Sequence, residues 1–254
     1  MDLVKAAAEG DRVAVEAKLA QGVDVNSKDA DGRTALSWAA GNGHEKVVQV
    51  VMKYLGNRIV VDSCDSYGRT PLLWAARNGH DDVAETLLRK GEYRVDINAQ
   101  DHNGLSPLLQ AVKHGHSTVV QHLLDRTSID LNITDALGQT ALHYAARSNH
   151  SVILKALLAH RYQEVSVDAR DRGGITPLEK AVRHKATQSI QYLLQASAST
   201  EGIARDDWLA AFCEPTASIV LLSEVPSGSK SLRFIAEESL PTSLSSSAHT
   251  RHLL

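Results

Sequence analysis

The chain has 254 residues, 43% of them hydrophobic, and a formal net charge of −3. That supplies a core over most of the length and argues against nucleic acid as the ligand, because polyanion binders concentrate a basic excess on one surface. No apolar run is long enough to cross a membrane, the N-terminus lacks a signal-peptide core, and Cys64 and Cys213 fit neither a disulfide framework nor a zinc site, so a cytoplasmic or nuclear location is expected.

Residues 1–28 read as an opening cap of two helices, from Leu3-Val4-Lys5-Ala6-Ala7-Ala8 to Asp24-Val25-Asn26. Residues 29–197 then repeat one pattern, Asp-x-x-Gly-x-Thr/Ser-Pro/Ala-Leu, starting at Asp29, Asp65, Asp101, Asp135 and Asp171 with spacings of 36, 36, 34 and 36. A fixed period of this size marks a repeat architecture. Thr34, Thr70, Ser106, Thr140 and Thr176 are expected to cap a first helix through their side-chain oxygens, and Pro71, Pro107 and Pro177 suit its first turn. That helix is about two turns long. Pairs such as Ala39-Ala40, Ala75-Ala76 and Ala145-Ala146 permit close helix approach, and Gly43, Gly79 and Gly115 can stop the helix in the left-handed conformation.

A second helix follows each stop, with one apolar face: Val47, Val48 and Val51 in the first full repeat, Val119, Val120, Leu123 and Leu124 in the third. Segments such as Val95-Asp96-Ile97-Asn98 lead into the next Asp-x-x-Gly, where a tight turn forms a projecting tip. The last repeat departs from the pattern, with Lys185-Ala186 in place of the Gly-His stop and a loose Gly173-Gly174 pair, so it should fray first. Residues 198–236 read as a C-terminal cap, a short helix whose Trp208, Leu209 and Phe212 seal the array, then a hairpin flanking Pro226-Ser227-Gly228-Ser229. Residues 237–254 are Ser-rich and too poor in apolar groups to order.

Thr70-Pro71-Leu72-Leu73-Trp74-Ala75-Ala76-Arg77-Asn78-Gly79-His80, its counterparts and the Asp-Val-Asn linkers resemble the ankyrin-repeat family over roughly residues 2 to 197. The Trp variant is similar to arrays common in fungal proteins, including those attached to nucleotide-binding immune-receptor-like chains. The resemblance implies an all-α solenoid of paired antiparallel helices with projecting β-hairpin loops. It also implies a protein-binding role, with partners meeting the tips and first helices.

Catalytic patterns are missing. His44, His80, His116 and His150 recur once per repeat, too far apart to share a metal, and His114 and His116 should lie on opposite sides of a helix end. Asp81-Asp82 and Asp206-Asp207 suit helix starts rather than acid–base pairs, and Gly228-Ser229-Lys230 lacks the rest of a phosphate loop. The expected protein is a non-enzymatic adaptor or scaffold without metal or cofactor, and a monomer.

Its candidate binding residues fall in three groups. The tips contribute Arg33, Tyr67, Arg69, His102 and Asn103. An equivalent position along the first helices carries Trp38, Trp74, Tyr144 and Lys180, with Gln110 between them. Three residues later a basic stripe follows at Arg77, Lys113, Arg147 and Arg183, beside His114, with Gly41 as the exception. Trp, Tyr and Arg dominate binding hot spots and facing charges guide association, so an acidic or apolar peptide segment is the expected partner. The same surface would also serve a nuclear transcription coregulator. Direct nucleic-acid binding through the basic stripe is a further alternative. So is the sensor end of an immune-receptor-like chain, against which Met1 and the opening cap point to a complete array.

Overall fold

The computed structural model of the chain describes residues 2–55, 59–89, 94–160 and 163–211. The expected terminal hairpin, Phe212 and the Ser-rich tail lie outside these described residues. Within them the chain is helical. The opening pair is α1 (Leu3–Ala8) and α2 (Arg12–Ala20), and the repeats supply α3 (Ala35–Gly41) with α4 (Glu45–Leu55), α5 (Pro71–Asn78) with α6 (Asp81–Leu87), and α7 (Pro107–His114) with α8 (Ser117–Leu124). Then come α9 (Ala141–Arg147) with α10 (Ser151–Leu158), α11 (Pro177–Arg183) with α12 (Thr187–Gln195), and α13 (Arg205–Ala211).

The first helix of each repeat begins where its cap stands. The hydroxyls of Thr34, Thr70, Ser106 and Thr176 accept from the backbone N–H three residues on, at 3.1, 3.3, 3.3 and 3.2 Å. Each such cap contributes about 1 kcal/mol. Pro71, Pro107 and Pro177 occupy the first turn, where no N–H is required. The stops are left-handed, at φ 75° for Gly43, 77° for Gly79 and 78° for Gly115. Asn149 at φ 52°, a residue that tolerates this conformation, and Lys185 at φ 55°, one that does not favour it, take the place of glycine, so at Lys185 the repeat imposes the geometry.

The described residues fall into two compact units, one drawn from 2–141 with 160–164 and the other from 142–159 with 165–211. In the first, α1, α3, α5 and α7 pack in succession, and α2, α4, α6 and α8 form a second row behind them. Ala39, Ala40, Ala75, Ala76 and Ala111 are fully buried between the rows, with Val47, Val48, Val51, Val83, Leu87, Val119, Val120 and Leu123 facing them. In the second unit α12 packs on α10 and α11, and α13 on α11, with Trp208 of α13 only 2% exposed.

Neighbouring repeats are also tied by the histidine that recurs after each stop. His80 Nε2 donates to the Gly41 carbonyl at 2.9 Å, and His116 Nε2 to that of Arg77 at 3.0 Å. His44 does the same to Ala8 at 3.1 Å. Each ring thus satisfies a carbonyl left open at the end of the preceding repeat's first helix. The ring lies against the preceding stop as well: a Cβ on Gly79 would come within 2.5 Å of His116 Nδ1. Glycine is therefore required there twice over, by backbone conformation and by the approach of the next repeat.

Candidate protein-binding face

The tips are built by one aspartate each. Asp65 Oδ1 accepts from the N–H groups of Tyr67 and Arg69 at 2.8 and 2.9 Å, and Asp101 Oδ1 from those of Asn103 and Leu105 at 2.9 and 3.0 Å. Asp29, Asp135 and Asp171 repeat the arrangement. Among the described residues the tips form no strands, and one isolated antiparallel bridge joins Lys28 to Thr34. A carboxylate closing the turn does the work that a ladder would do in a hairpin. Successive tips of the first unit are joined by backbone bonds, Ser66 N–H to the Asp31 carbonyl at 2.9 Å, His102 to Tyr67 at 3.0 Å and Ala136 to Asn103 at 2.9 Å.

The second carboxylate oxygen faces the first helix and gives the Trp position a local role. Trp38 Nε1 donates to Asp29 Oδ2 at 2.6 Å and Trp74 Nε1 to Asp65 Oδ2 at 2.9 Å. Gln110 Nε2 reaches Asp101 Oδ2 at 3.2 Å, and in the second unit Lys180 Nζ reaches Asp171 Oδ2 at 2.9 Å. What recurs at this position is a donor nine residues after the aspartate, not an aromatic ring. The fixed nine-residue separation is the sequence signal of this pairing. Burial alone would push Asp29 upward, yet the Trp38 indole, the Arg33 and Asp31 N–H groups and the Arg33 charge together hold its pKa below the usual carboxylate range. For Asp171, Lys180 and two backbone N–H groups outweigh burial in the same way.

Arg33 lies between two indoles. Its guanidinium carbon is 3.8 Å from the ring centroid of Trp38 and 3.8 Å from that of Trp74. Arg69 continues the stack, 4.8 Å from Trp74 and 4.9 Å from Tyr67, with its Nε 3.8 Å from Asp101 Oδ2. Such contacts stabilise by about 0.5–2 kcal/mol each, rising with desolvation. The stack also explains Gly41, the one non-basic member of the stripe: a Cβ there would meet Arg33 Nη2 at 3.2 Å and the Trp74 Cβ at 3.5 Å. Burial lowers the Arg33 pKa while Asp65 and Asp29 oppose it. Arg33, Trp38, Arg69 and Trp74 are half-buried and already engaged with one another, whereas Tyr67, His102 and Asn103 at the tips are exposed.

The stripe is partly exposed in each unit. In the first, Arg77 is half-buried, its guanidinium 5.9 Å from the Trp74 ring, and Lys113 and His114 are exposed. In the second, Tyr144 is buried with the exposed Arg147 guanidinium 5.9 Å from its ring, and Arg183 pairs with Glu179 at 2.7 Å. One expectation is corrected here. His114 and His116 do not lie on opposite sides of the helix end; their rings are nearly parallel, 6.1 Å between centroids and 23° between planes. The left-handed Gly115 between them turns the chain back and brings both rings to one side.

A family model described as ankyrin repeats matches residues 3–101, 92–170 and 108–203. The chain belongs to the ankyrin-repeat family. Ankyrin repeats are in general protein–protein interaction modules and typically non-enzymatic. Among curated proteins, Rabankyrin-5 of Mus musculus is 39% identical over 61 residues and Rabankyrin-5 of Homo sapiens 36% over 61 residues, covering 24% of this chain. The match takes in 5% of either relative's length, so the likeness concerns the ankyrin repeats and nothing beyond them. No helix among the described residues is long and apolar enough to cross a membrane.

Proposed function

We propose that this ankyrin protein is a non-enzymatic adaptor that holds an acidic protein segment on the tip and first-helix face of its first unit. One observation carries the reading: Arg77, Lys113 and His114 form a cationic corner, and the charges acting on the His114 ring are Arg77, His116 and Lys113, all positive or able to become so. Arg33 and Arg69 stand with carboxylates in the stack. Exposed Tyr67, His102 and Asn103 on neighbouring tips add apolar and hydrogen-bonding contact of the kind binding surfaces use. A cytoplasmic or nuclear place of action belongs to the same reading.

The test starts with proteins enriched from the native cell by the wild-type chain, identified by mass spectrometry and then measured as purified partners. The Arg77→Ala/Lys113→Ala variant is expected to weaken binding by about tenfold or more, since each rim or half-buried charge contributes of the order of 1 kcal/mol. Its melting temperature should change little, because neither side chain closes a turn or caps a helix. Unaltered affinity in a folded double variant rejects the face.

A further inference from the structure

Asparagine is followed by glycine at three steps of the chain, Asn42-Gly43, Asn78-Gly79 and Asn103-Gly104. Such a step is chemically weak, because glycine has no Cβ to keep its backbone nitrogen away from the neighbouring side-chain carbonyl. The fold treats the three differently. Asn42 Nδ2 donates to the Ala8 carbonyl at 2.9 Å and Asn78 Nδ2 to that of Gly41 at 2.7 Å, so both carboxamides are tied to the preceding repeat. Asn26, Asn98, Asn132 and Asn149 are held as well, by the Val60 N–H, the Ser128 carbonyl, the Glu164 carbonyl and the Ser189 N–H respectively. Among the described residues Asn103 is the exception. It is exposed at the third tip, its backbone is bonded to Asp101 and Ala136, and no hydrogen bond holds its carboxamide.

We propose that Asn103-Gly104 is a self-modification site, where the tip converts its own asparagine to aspartate and isoaspartate with water as co-reactant. In the first step the Gly104 backbone nitrogen attacks the Asn103 side-chain carbonyl carbon. A succinimide ring closes, the C–N bond of the carboxamide breaks, and the Gly104 proton departs with the leaving group as ammonia. In the second step water adds to one of the two ring carbonyls, its oxygen staying on that carbon and a proton returning to the Gly104 nitrogen. Opening at the former side-chain carbonyl leaves aspartate. Opening at the backbone carbonyl leaves isoaspartate, in which the chain runs on through the side-chain carbon. Nothing is oxidised or reduced.

The attacking nitrogen must first be released, since the Gly104 N–H donates to the Asp101 carbonyl at 2.8 Å. That requirement does not separate the three steps, because the Gly43 N–H donates to Ala40 and the Gly79 N–H to Ala75. What separates them is the carboxamide, tethered at Asn42 and Asn78 and untethered at Asn103.

The consequence falls on the joint between tips. The Asn103 carbonyl accepts from the Ala136 N–H at 2.9 Å, and the Asp101 carboxylate closes the turn through the Asn103 and Leu105 N–H groups. Isoaspartate adds a methylene to this turn and makes that carbonyl one oxygen of a carboxylate, two residues from the buried Asp101. The link from the third tip to the fourth is then lost, while the Ser66 N–H to Asp31 link is untouched. Conversion thus alters the candidate face with the age of the molecule, and it does not depend on that face taking an acidic segment.

The experiment incubates the full chain in heavy-oxygen water at pH 8 and 37 °C, folded and in guanidinium chloride. Mass spectrometry follows the peptides containing Asn42, Asn78 and Asn103, the heavy oxygen marking conversion that precedes digestion. In the folded chain the Asn103 peptide is expected to convert at least about fivefold faster than either of the others, the factor for releasing one carboxamide hydrogen bond. In the denatured chain the three rates should converge. Equal rates in the folded chain, or no conversion at Asn103, overturn the proposal. So does a lead for Asn103 that persists undiminished after denaturation, which would belong to local sequence and owe nothing to the tip. In Asn103→Gln, whose carboxamide would have to close a larger ring, conversion should disappear from that peptide; conversion that continues there places the reacting group elsewhere. In the isoaspartate form, separated by chromatography, the Ala136 amide should exchange faster by NMR and the Ser66 amide should not, and unchanged protection at Ala136 overturns the loss of the joint.

Discussion

The tip at Asp65 and the tip at Asp171 are built on the same turn and finished with different chemistry. Both carboxylates accept two backbone N–H groups through one oxygen. Asp65 gives its other oxygen to the Trp74 indole, beside an Arg33 guanidinium held between Trp38 and Trp74. Asp171 gives its other oxygen to Lys180, below an exposed Gly173-Gly174 pair. The difference shows how one repeat plan can be finished in two ways. Where the donor is an indole, the carboxylate also stands beside a cation stacked on the rings; where it is an ammonium, the carboxylate meets its counter-charge directly.

Breaking the two tips in parallel tests this reading most sharply. Asp65→Ala removes the acceptor of two backbone donors and an indole and takes away a counter-charge of Arg33, so it should destabilise the chain by about 3 kcal/mol. Asp171→Ala should cost about 2 kcal/mol, because it leaves two backbone donors and the mostly buried Lys180 ammonium without an acceptor but disturbs no arginine–indole stack. Chemical denaturation followed by circular dichroism measures both. Equal losses would mean that the arginine–indole stack adds nothing to the tip.

The helix stops offer the next comparison. Gly79→Ala forces a Cβ into left-handed backbone and against the His116 ring at 2.5 Å, and should destabilise by about 2 kcal/mol. His116→Ala would remove the steric part and leave the backbone part. A double variant that recovers none of the loss would show that the ring contact is irrelevant and that backbone conformation alone demands glycine.

Much of this plan was legible in the sequence, and the reasons are local. The caps at Thr34, Thr70, Ser106 and Thr176 and the stops at Gly43, Gly79 and Gly115 follow from chemistry within a few residues, so spacing alone located them. The candidate face was legible as a set of positions but not as a set of roles. Trp38 and Trp74 are visible in the sequence as equivalent positions, yet the feature their position shares is a donor to an aspartate nine residues earlier, which Gln110 and Lys180 supply as well. Arg33 and Arg69 looked like outward tip charges, and only packing between repeats turns them onto the rings. The meeting of His114 and His116 escaped a helical-wheel argument because Gly115 ends the helix between them.

The smallest expected effect lies in the last repeat, where the stop residue is Lys185 at φ 55°. A side chain in this conformation costs about 1–2 kcal/mol in backbone strain, partly offset by the lower entropy of the unfolded lysine relative to glycine. Lys185→Gly should therefore stabilise by about 0.5–1 kcal/mol, the reverse in sign of Gly79→Ala at the equivalent position. In an array whose stability is a sum over repeats and their interfaces, that gain should remain near its source. Amides of α11 and α12 are expected to exchange faster than those of α5 to α8 in the wild type and to slow by about threefold on Lys185→Gly, while α5 to α8 stay unchanged. Hydrogen exchange read by mass spectrometry checks this peptide by peptide. Uniform protection in the wild type would remove the contrast between the repeats, and slowing spread evenly over α5 to α12 would show that the repeats open as one cooperative block.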